Sequence, residues 1–74
     1  MWKKTDVPIE KLPDIIKQLN LAIANGDNIL EQMMCIYKLE NSAVMYLRTP
    51  WDFIDDMKQL KPIKEFYLYT SQSK

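Results

Sequence analysis

Apolar residues occupy both faces of a β-hairpin predicted over residues 33–48. Successive side chains of a strand point to opposite sides, so a strand with one face in water should alternate apolar and polar residues. One face would carry Met33, Cys35, Tyr37, Leu39, Val44 and Tyr46. The other would carry Met34, Ile36, Ala43, Met45 and Leu47. In a chain of 74 residues, we expect part of the cover for these two faces to come from another molecule.

The turn of this hairpin is predicted at Asn41-Ser42, between two runs rich in β-branched and aromatic residues. A loop with an even number of residues would place Tyr37 opposite Tyr46 and Leu39 opposite Val44. Within the run 29–39, apolar residues also recur at helical spacing, at Ile29, Met33, Ile36 and Leu39, and such short apolar runs are ambiguous between strand and helix. A mostly α fold, with 29–39 as a helix, is therefore the alternative.

A first helix is predicted by apolar residues that recur every three or four positions. They are Ile9, Leu12, Ile16, Leu19 and Ile23. Because an interior proline removes a hydrogen bond and clashes with the preceding turn, Pro13 predicts either a kink or a separate first turn. Gly26 suits the left-handed position that ends a helix.

A second helix has clear start and stop signals. Thr49 is predicted as its N-cap, Pro50 occupies its first turn, and Pro62 stops it. Its buried stripe would be formed by Phe53, Ile54, Met57 and Leu60. Three aspartates, Asp52, Asp55 and Asp56, lie near the N-terminal end of this helix. Their favourable interaction with the positive end of the helix dipole is a better explanation for this acidic cluster than a metal site.

The last element is a predicted strand over residues 65–70. Phe66 and Leu68 would point to one side, and Tyr67 and Tyr69 to the other. The order α-β-β-α-β predicts one α+β domain over residues 1–74, with an antiparallel sheet of three or four strands, two helices on one face and a flexible tail at 71–74. An N-terminal strand over residues 2–5 would give the ferredoxin-like β-α-β-β-α-β pattern. The first strand of that fold is central, however, and this segment is polar.

Composition removes several classes of function. Ten Lys and Arg balance ten Asp and Glu, so no long-range attraction to nucleic acid or acidic membranes is expected. No apolar run approaches the roughly 20 residues of a membrane span. The polar start is not typical of a signal peptide. A single cysteine indicates the cytoplasm. The sequence is also rich in Lys, Ile, Asn and Met. From this residue usage and the short length, we expect a complete small bacterial or bacteriophage accessory protein.

Catalytic chemistry is sparse in this sequence. It has no histidine, which is the commonest general base and metal ligand, and its single glycine excludes Gly-rich phosphate loops. We therefore expect no cofactor, no metal and no enzymatic activity. Cys35 is predicted as a buried structural thiol, although Arg48 across the ladder could lower its pKa.

Tyrosines are the candidate binding residues. If the last strand joined the hairpin with matching faces, one surface would bear Tyr37, Tyr46, Tyr67 and Tyr69, with Arg48 nearby. Tyrosine is enriched in interface cores. We therefore predict a protein-binding module of the inhibitor or adaptor type that forms a homodimer or a hetero-complex through this surface. The alternatives are binding of a small nucleotide-like ligand and stacking of single-stranded nucleic acid.

Overall fold

The computed structural model describes residues 2–59 and 62–71. The elements are β1 (Trp2–Val7), α1 (Leu12–Asn25), β2 (Met33–Leu39), β3 (Met45–Arg48), α2 (Pro50–Met57) and β4 (Ile63–Ser71). Short 3₁₀ turns at Ile9–Lys11 and Asn28–Gln32 precede α1 and β2. The predicted α+β class is confirmed, and the mostly α alternative is wrong because residues 33–39 form a strand.

The strands form one antiparallel sheet in the order β1-β4-β2-β3. The order of elements along the chain is therefore β-α-β-β-α-β, and the N-terminal strand exists. That strand lies at an edge of the sheet, and its residues Trp2 to Asp6 are exposed. An edge strand tolerates lysines and even benefits from them, because they discourage pairing with other chains. The polar sequence of β1 fits this edge position.

The predicted hairpin register is confirmed for Tyr37 opposite Tyr46 and Ile36 opposite Leu47, but the predicted pair of Leu39 with Val44 is not formed. The second strand is shorter than expected, since β3 begins at Met45. Ala43 and Val44 lie in the loop, where the Val44 N–H donates to Ser42 Oγ over 3.0 Å.

The start of the first helix follows one of the two arrangements that Pro13 predicts. A separate 3₁₀ turn comes first, and Pro13 then lies in the first turn of α1, where its missing N–H costs nothing. Gly26 ends α1 in the left-handed region with φ of 65°. Its N–H donates to the Ile23 carbonyl, and the Asp27 N–H donates to the Ala22 carbonyl.

The second helix begins as predicted. The Asp52 N–H donates to Thr49 Oγ1 over 3.1 Å, and Phe53 and Ile54 are buried. Leu60, the last predicted member of the buried stripe, lies outside the described residues. Of the predicted tail, Ser71 belongs to β4, opposite Trp2, and residues 72–74 lie outside the described part.

The core lies between the helices and one face of the sheet, which we call the covered face. Its buried members are Leu12, Leu19, Leu30, Cys35, Tyr37, Phe53, Ile54, Ile63 and Phe66. The ring of Phe53 lies 5.5 Å from that of Tyr37 and 4.9 Å from that of Phe66, so α2 is anchored on the two central strands. The register between β2 and β4 shifts at Lys38/Leu39, which makes Lys64 an extra residue and lets Ile63 turn into the core.

Candidate functional site

The opposite side of the sheet, which we call the open face, is the candidate site. Strand alternation and the register assign it Trp2, Lys4, Asp6, Met34, Ile36, Lys38, Met45, Leu47, Glu65, Tyr67 and Tyr69. Among these residues none is buried, and Trp2, Met45 and Leu47 are 50%, 46% and 60% exposed. No element within residues 2–59 and 62–71 supplies core side chains on this side.

The register arranges the open face in rows that cross the strands. One row runs Lys4, Tyr69, Met34. The next runs Asp6, Tyr67, Ile36, Leu47. The third runs Glu65, Lys38, Met45. The centre of the face is therefore apolar or aromatic, and both signs of charge border it. Apolar side chains that lie together on one exposed surface are typical of interaction sites.

Local electrostatics fix the position of Tyr67. Its hydroxyl donates to Glu65 Oε1 over 2.6 Å, and the Lys4 ammonium lies 4.2 Å from the centre of its ring. The hydrogen bond lowers the pKa of Glu65 and raises that of Tyr67, because it stabilises the carboxylate and the neutral phenol. The polar atoms here are satisfied on the surface itself, which leaves the ring edges and the neighbouring aliphatic side chains for contact.

The expectation of a four-tyrosine surface is wrong. Tyr37 is paired with Phe66 rather than with Tyr67, so the two tyrosine pairs point to opposite sides of the sheet. Tyr37 is only 2% exposed and stacks on the partly buried Tyr46 with ring centres 5.4 Å apart. Phe66 and Leu68 were the signal, because their side chains carry no polar atom and so favour the core side more strongly than tyrosines do.

Of the five predicted binding residues, only Tyr67 and Tyr69 lie on the open face. Tyr37, Tyr46 and Arg48 belong to the covered face, with Arg48 at its margin, where the side chain is 43% exposed. The open face instead includes apolar residues that the prediction assigned to the second hairpin face, among them Ile36 and Leu47.

A polar cluster on the covered face was missed at the sequence level. The Tyr37 hydroxyl donates to Asp56 Oδ2, and Arg48 Nε lies 3.3 Å from the same oxygen. Burial raises the pKa of Tyr37 to about 12, and the hydrogen bond to Asp56 adds to this effect. Asp56 follows the buried Phe53 by three residues, so the two share the sheet-facing side of α2. This spacing was the signal in the sequence that Asp56 could contact the sheet. The cluster joins α2 to the hairpin.

Cys35 lies opposite Arg48, as the register predicted, but it is fully buried. Burial raises the pKa of its thiol to about 12, so the thiol is protonated and unreactive at neutral pH. Within the part of the chain that the structure describes, no group of three or more His, Cys, Asp or Glu is arranged to hold a metal ion.

A shallow groove adjoins one corner of the open face. It has a volume of about 300 Å³ and lies where β1 ends beside the start of β4, with Asp6, Pro8, Glu65 and Tyr67 among its lining residues. Because three of these residues also belong to the open face, the groove extends that surface rather than forming a separate pocket.

Comparison with known proteins yields no match, whether to family models, curated sequences or solved structures. Among the described residues, no helix combines the length and the apolar character that a membrane span requires.

Proposed function

We propose that this chain is a non-enzymatic protein-binding module of the inhibitor or adaptor type, which acts through the open face of its sheet. The observation that carries the proposal is the row of apolar and aromatic side chains on that face. Those on the two central strands, such as Ile36 and Tyr67, are partly accessible, and Trp2, Met45 and Leu47 on the two edge strands are about half exposed. Water contact with such side chains costs roughly 25 cal/mol per Å² of apolar surface, which a protein partner would recover by covering them.

The residue types on the open face favour a protein as the partner. Tyrosine, tryptophan and methionine are enriched in interface cores, and a charged border is typical of an interface rim. The face supplies all of these, with Tyr67, Tyr69 and Met34 near its centre and Lys4 and Asp6 along one side. The free thiol of Cys35 is consistent with a cytoplasmic location.

The small-ligand alternative has weaker support. Ligand sites are concave and enclose most of the ligand, with volumes of about 300–1,000 Å³. The groove beside Asp6 and Tyr67 reaches about 300 Å³ and is open to solvent. It therefore fits a side chain of a protein partner better than a nucleotide-like ligand.

The nucleic-acid alternative also has weaker support. Stacking needs a free aromatic surface in a positively charged groove. The Lys4 ammonium already lies over the ring of Tyr67, and the two lysines of the face are offset by Asp6 and Glu65.

A matched pair of variants tests the proposal. Leu47→Glu places a charge on the open face, and Leu21→Glu makes the same change at a leucine of α1 that is almost equally exposed, 56% against 60%. Each protein, folded as judged by circular dichroism, is used as bait in affinity capture from host lysate. We expect Leu47→Glu to lose bound proteins that the wild type and Leu21→Glu retain. Identical sets for all three baits would contradict the proposal.

A further inference from the structure

We propose that the open face binds a second copy of this chain, with the two sheets packed face to face about a two-fold axis that runs across the strands. This inference rests on the proposed function and names its partner. Two-fold dimers use the same surface on both copies, so the surface must be complementary to itself. The question is whether one rotation matches charge with opposite charge and apolar with apolar.

The charge order along β1 satisfies this requirement. Lys4 and Asp6 are two residues apart on the open face, and each is the β1 residue of one of two neighbouring rows. A two-fold axis that passes between these rows, at right angles to the strands, exchanges them. Lys4 of each copy then faces Asp6 of the other, which forms two oppositely charged pairs with one operation.

The same rotation also matches the centre of the face. It sets Tyr69 of each copy against Tyr67 of the other, and Met34 against Ile36, because these residues occupy the corresponding positions of the two rows. Aromatic and aliphatic side chains therefore meet their own kind. Sheets stacked in this way lie about 10 Å apart, with side chains from both inner faces filling the space.

The position of the Lys4 ammonium adds a second reason for this pairing. The ammonium lies over the Tyr67 ring, on the surface of the face rather than beside the edge strand. A covering sheet would remove water from it, and an uncompensated buried charge is costly. The carboxylate of Asp6 from the second copy supplies the compensation.

A two-fold axis parallel to the strands is the competing arrangement. It would set Glu65 of one copy against Lys38 of the other, but it would also place Asp6 against Leu47, because it exchanges β1 with β3. A carboxylate against an exposed leucine gains nothing and loses hydration. The axis across the strands avoids this mismatch.

Charge reversal with complementation tests the arrangement. By sedimentation equilibrium from about 1 µM to about 1 mM, a range that covers weak to moderate dimers, we expect the wild type to dimerise. Lys4→Glu alone and Asp6→Lys alone should each raise the dimer dissociation constant about tenfold, because each turns both pairs repulsive. An equimolar mixture of the two variants, and the double variant K4E/D6K, should return to near wild-type affinity, because in both cases the pairs are again opposite in charge.

The matched control uses Lys38→Glu and Glu65→Lys. Under the proposed axis their mixture associates no more tightly than either variant alone, whereas rescue by this mixture would support the axis along the strands and overturn the proposal. Lack of rescue in the Lys4 and Asp6 mixture, or a wild type that stays monomeric to about 1 mM, would also overturn it. Both β1 positions are exposed on an edge strand, so the variants are expected to fold, and circular dichroism checks this.

Failure of this inference is distinguishable from failure of the proposed function. A monomeric wild type that still captures other proteins, with loss in Leu47→Glu and not in Leu21→Glu, would leave the proposed function standing and reject the second copy as partner. A monomeric wild type with no such difference between the variants would reject both.

Discussion

The two faces of the sheet are formed by alternate residues of the same strands, yet their environments differ completely. Cys35 is fully buried while its neighbour Ile36 points to the open face, and Phe66 is 2% exposed while Tyr67 is partly accessible. Both faces are largely apolar in composition. Composition alone therefore does not identify the face that forms the core.

The hydrogen bonds of two tyrosines express the difference between the faces. On the covered face, the Tyr37 hydroxyl reaches Asp56 of α2, 19 residues away in sequence. On the open face, the Tyr67 hydroxyl reaches Glu65, two residues away on its own strand. The covered face is thus joined to other elements, whereas the open face makes contacts within the sheet. If a partner binds, it would add to the open face the kind of contact that α2 supplies to the covered one.

The largest expected effect is the loss of a core aromatic ring. Phe66→Ala should lower the free energy of unfolding by about 3–5 kcal/mol, because it removes a buried ring and leaves a cavity against Phe53. Tyr69→Ala on the open face should cost about 1 kcal/mol or less, the scale of cross-strand pairs. Urea denaturation of both variants measures the difference.

Small domains have thin stability margins, so Phe66→Ala can fall below the limit for folding. Phe66→Leu then serves as the measurable variant, with an intermediate loss. Equal losses for position 66 and position 69 would contradict the assignment of the two faces.

A smaller effect is expected from removing a tyrosine hydroxyl. Tyr37→Phe should cost about 1–2 kcal/mol, because Asp56 loses a buried donor and keeps only Arg48. Tyr67→Phe removes the hydroxyl that donates to Glu65 on the open face, where water replaces it, and the loss of stability should be much smaller. Thermal or urea unfolding compares the two, and a larger loss for Tyr67→Phe would reverse the comparison.

The pH dependence separates the two tyrosines by another route. The pKa of Tyr37 rises from 10.0 in the unfolded chain to about 12 in the folded one. Its contribution to stability is therefore complete below about pH 10 and is lost as the pH rises toward 12, because the unfolded state gives up its proton first. Ultraviolet titration should show a late tyrosine ionisation that coincides with unfolding.

The control for this titration uses the same two substitutions. Because the hydrogen bond to Glu65 raises the pKa of Tyr67 as well, the comparison is made in the Tyr67→Phe background. Tyr67→Phe should retain the late ionisation, and the double variant Y37F/Y67F should lack it. If the late step persisted in the double variant, another tyrosine would be the buried one, and the assignment of Tyr37 to the core would fail.

The smallest expected effect concerns the folding stability of the two variants used for affinity capture. Leu47→Glu and Leu21→Glu should each change the stability of the monomer by about 0.5 kcal/mol or less, since both leucines are more than half exposed. If the open face self-associates, the wild-type melting temperature should rise with protein concentration while that of Leu47→Glu stays constant. Differential scanning calorimetry at several concentrations measures this, and parallel behaviour of all three proteins would argue against an interface at Leu47.

Local signals in the sequence predicted most of the elements. Thr49 and Pro50 mark the start of α2, Gly26 marks the end of α1, and Pro13 separates a short turn from the helix. Each of these acts through the conformation of one or two residues, so no knowledge of the rest of the chain is needed. The hairpin register was accessible for the same reason, because Tyr37 and Tyr46 are joined by a short loop.

The arrangement of β4 could not be derived in this way. Which of its faces meets the helices depends on its pairing with β2, a contact between distant parts of the chain, and a shift of one residue exchanges the faces. The sequence therefore predicts Tyr67 and Tyr69 on the same face as Tyr37, whereas they lie on the other face of the sheet. The role of Asp56 was missed because a carboxylate near a helix start has a sufficient local explanation, and only the approach of Tyr37 reveals its second role.

The pairing of Trp2 with Ser71 has a practical consequence for engineering this protein. Because β1 starts where β4 ends, a short peptide could link these two positions and new ends could be opened in the loop between β2 and β3 without changing a strand pairing. Such a circular permutant would also move affinity tags away from this corner, which adjoins the open face. A tag joined next to Trp2 or Ser71 would lie at this corner, whereas the permuted chain would present the same surface unobstructed.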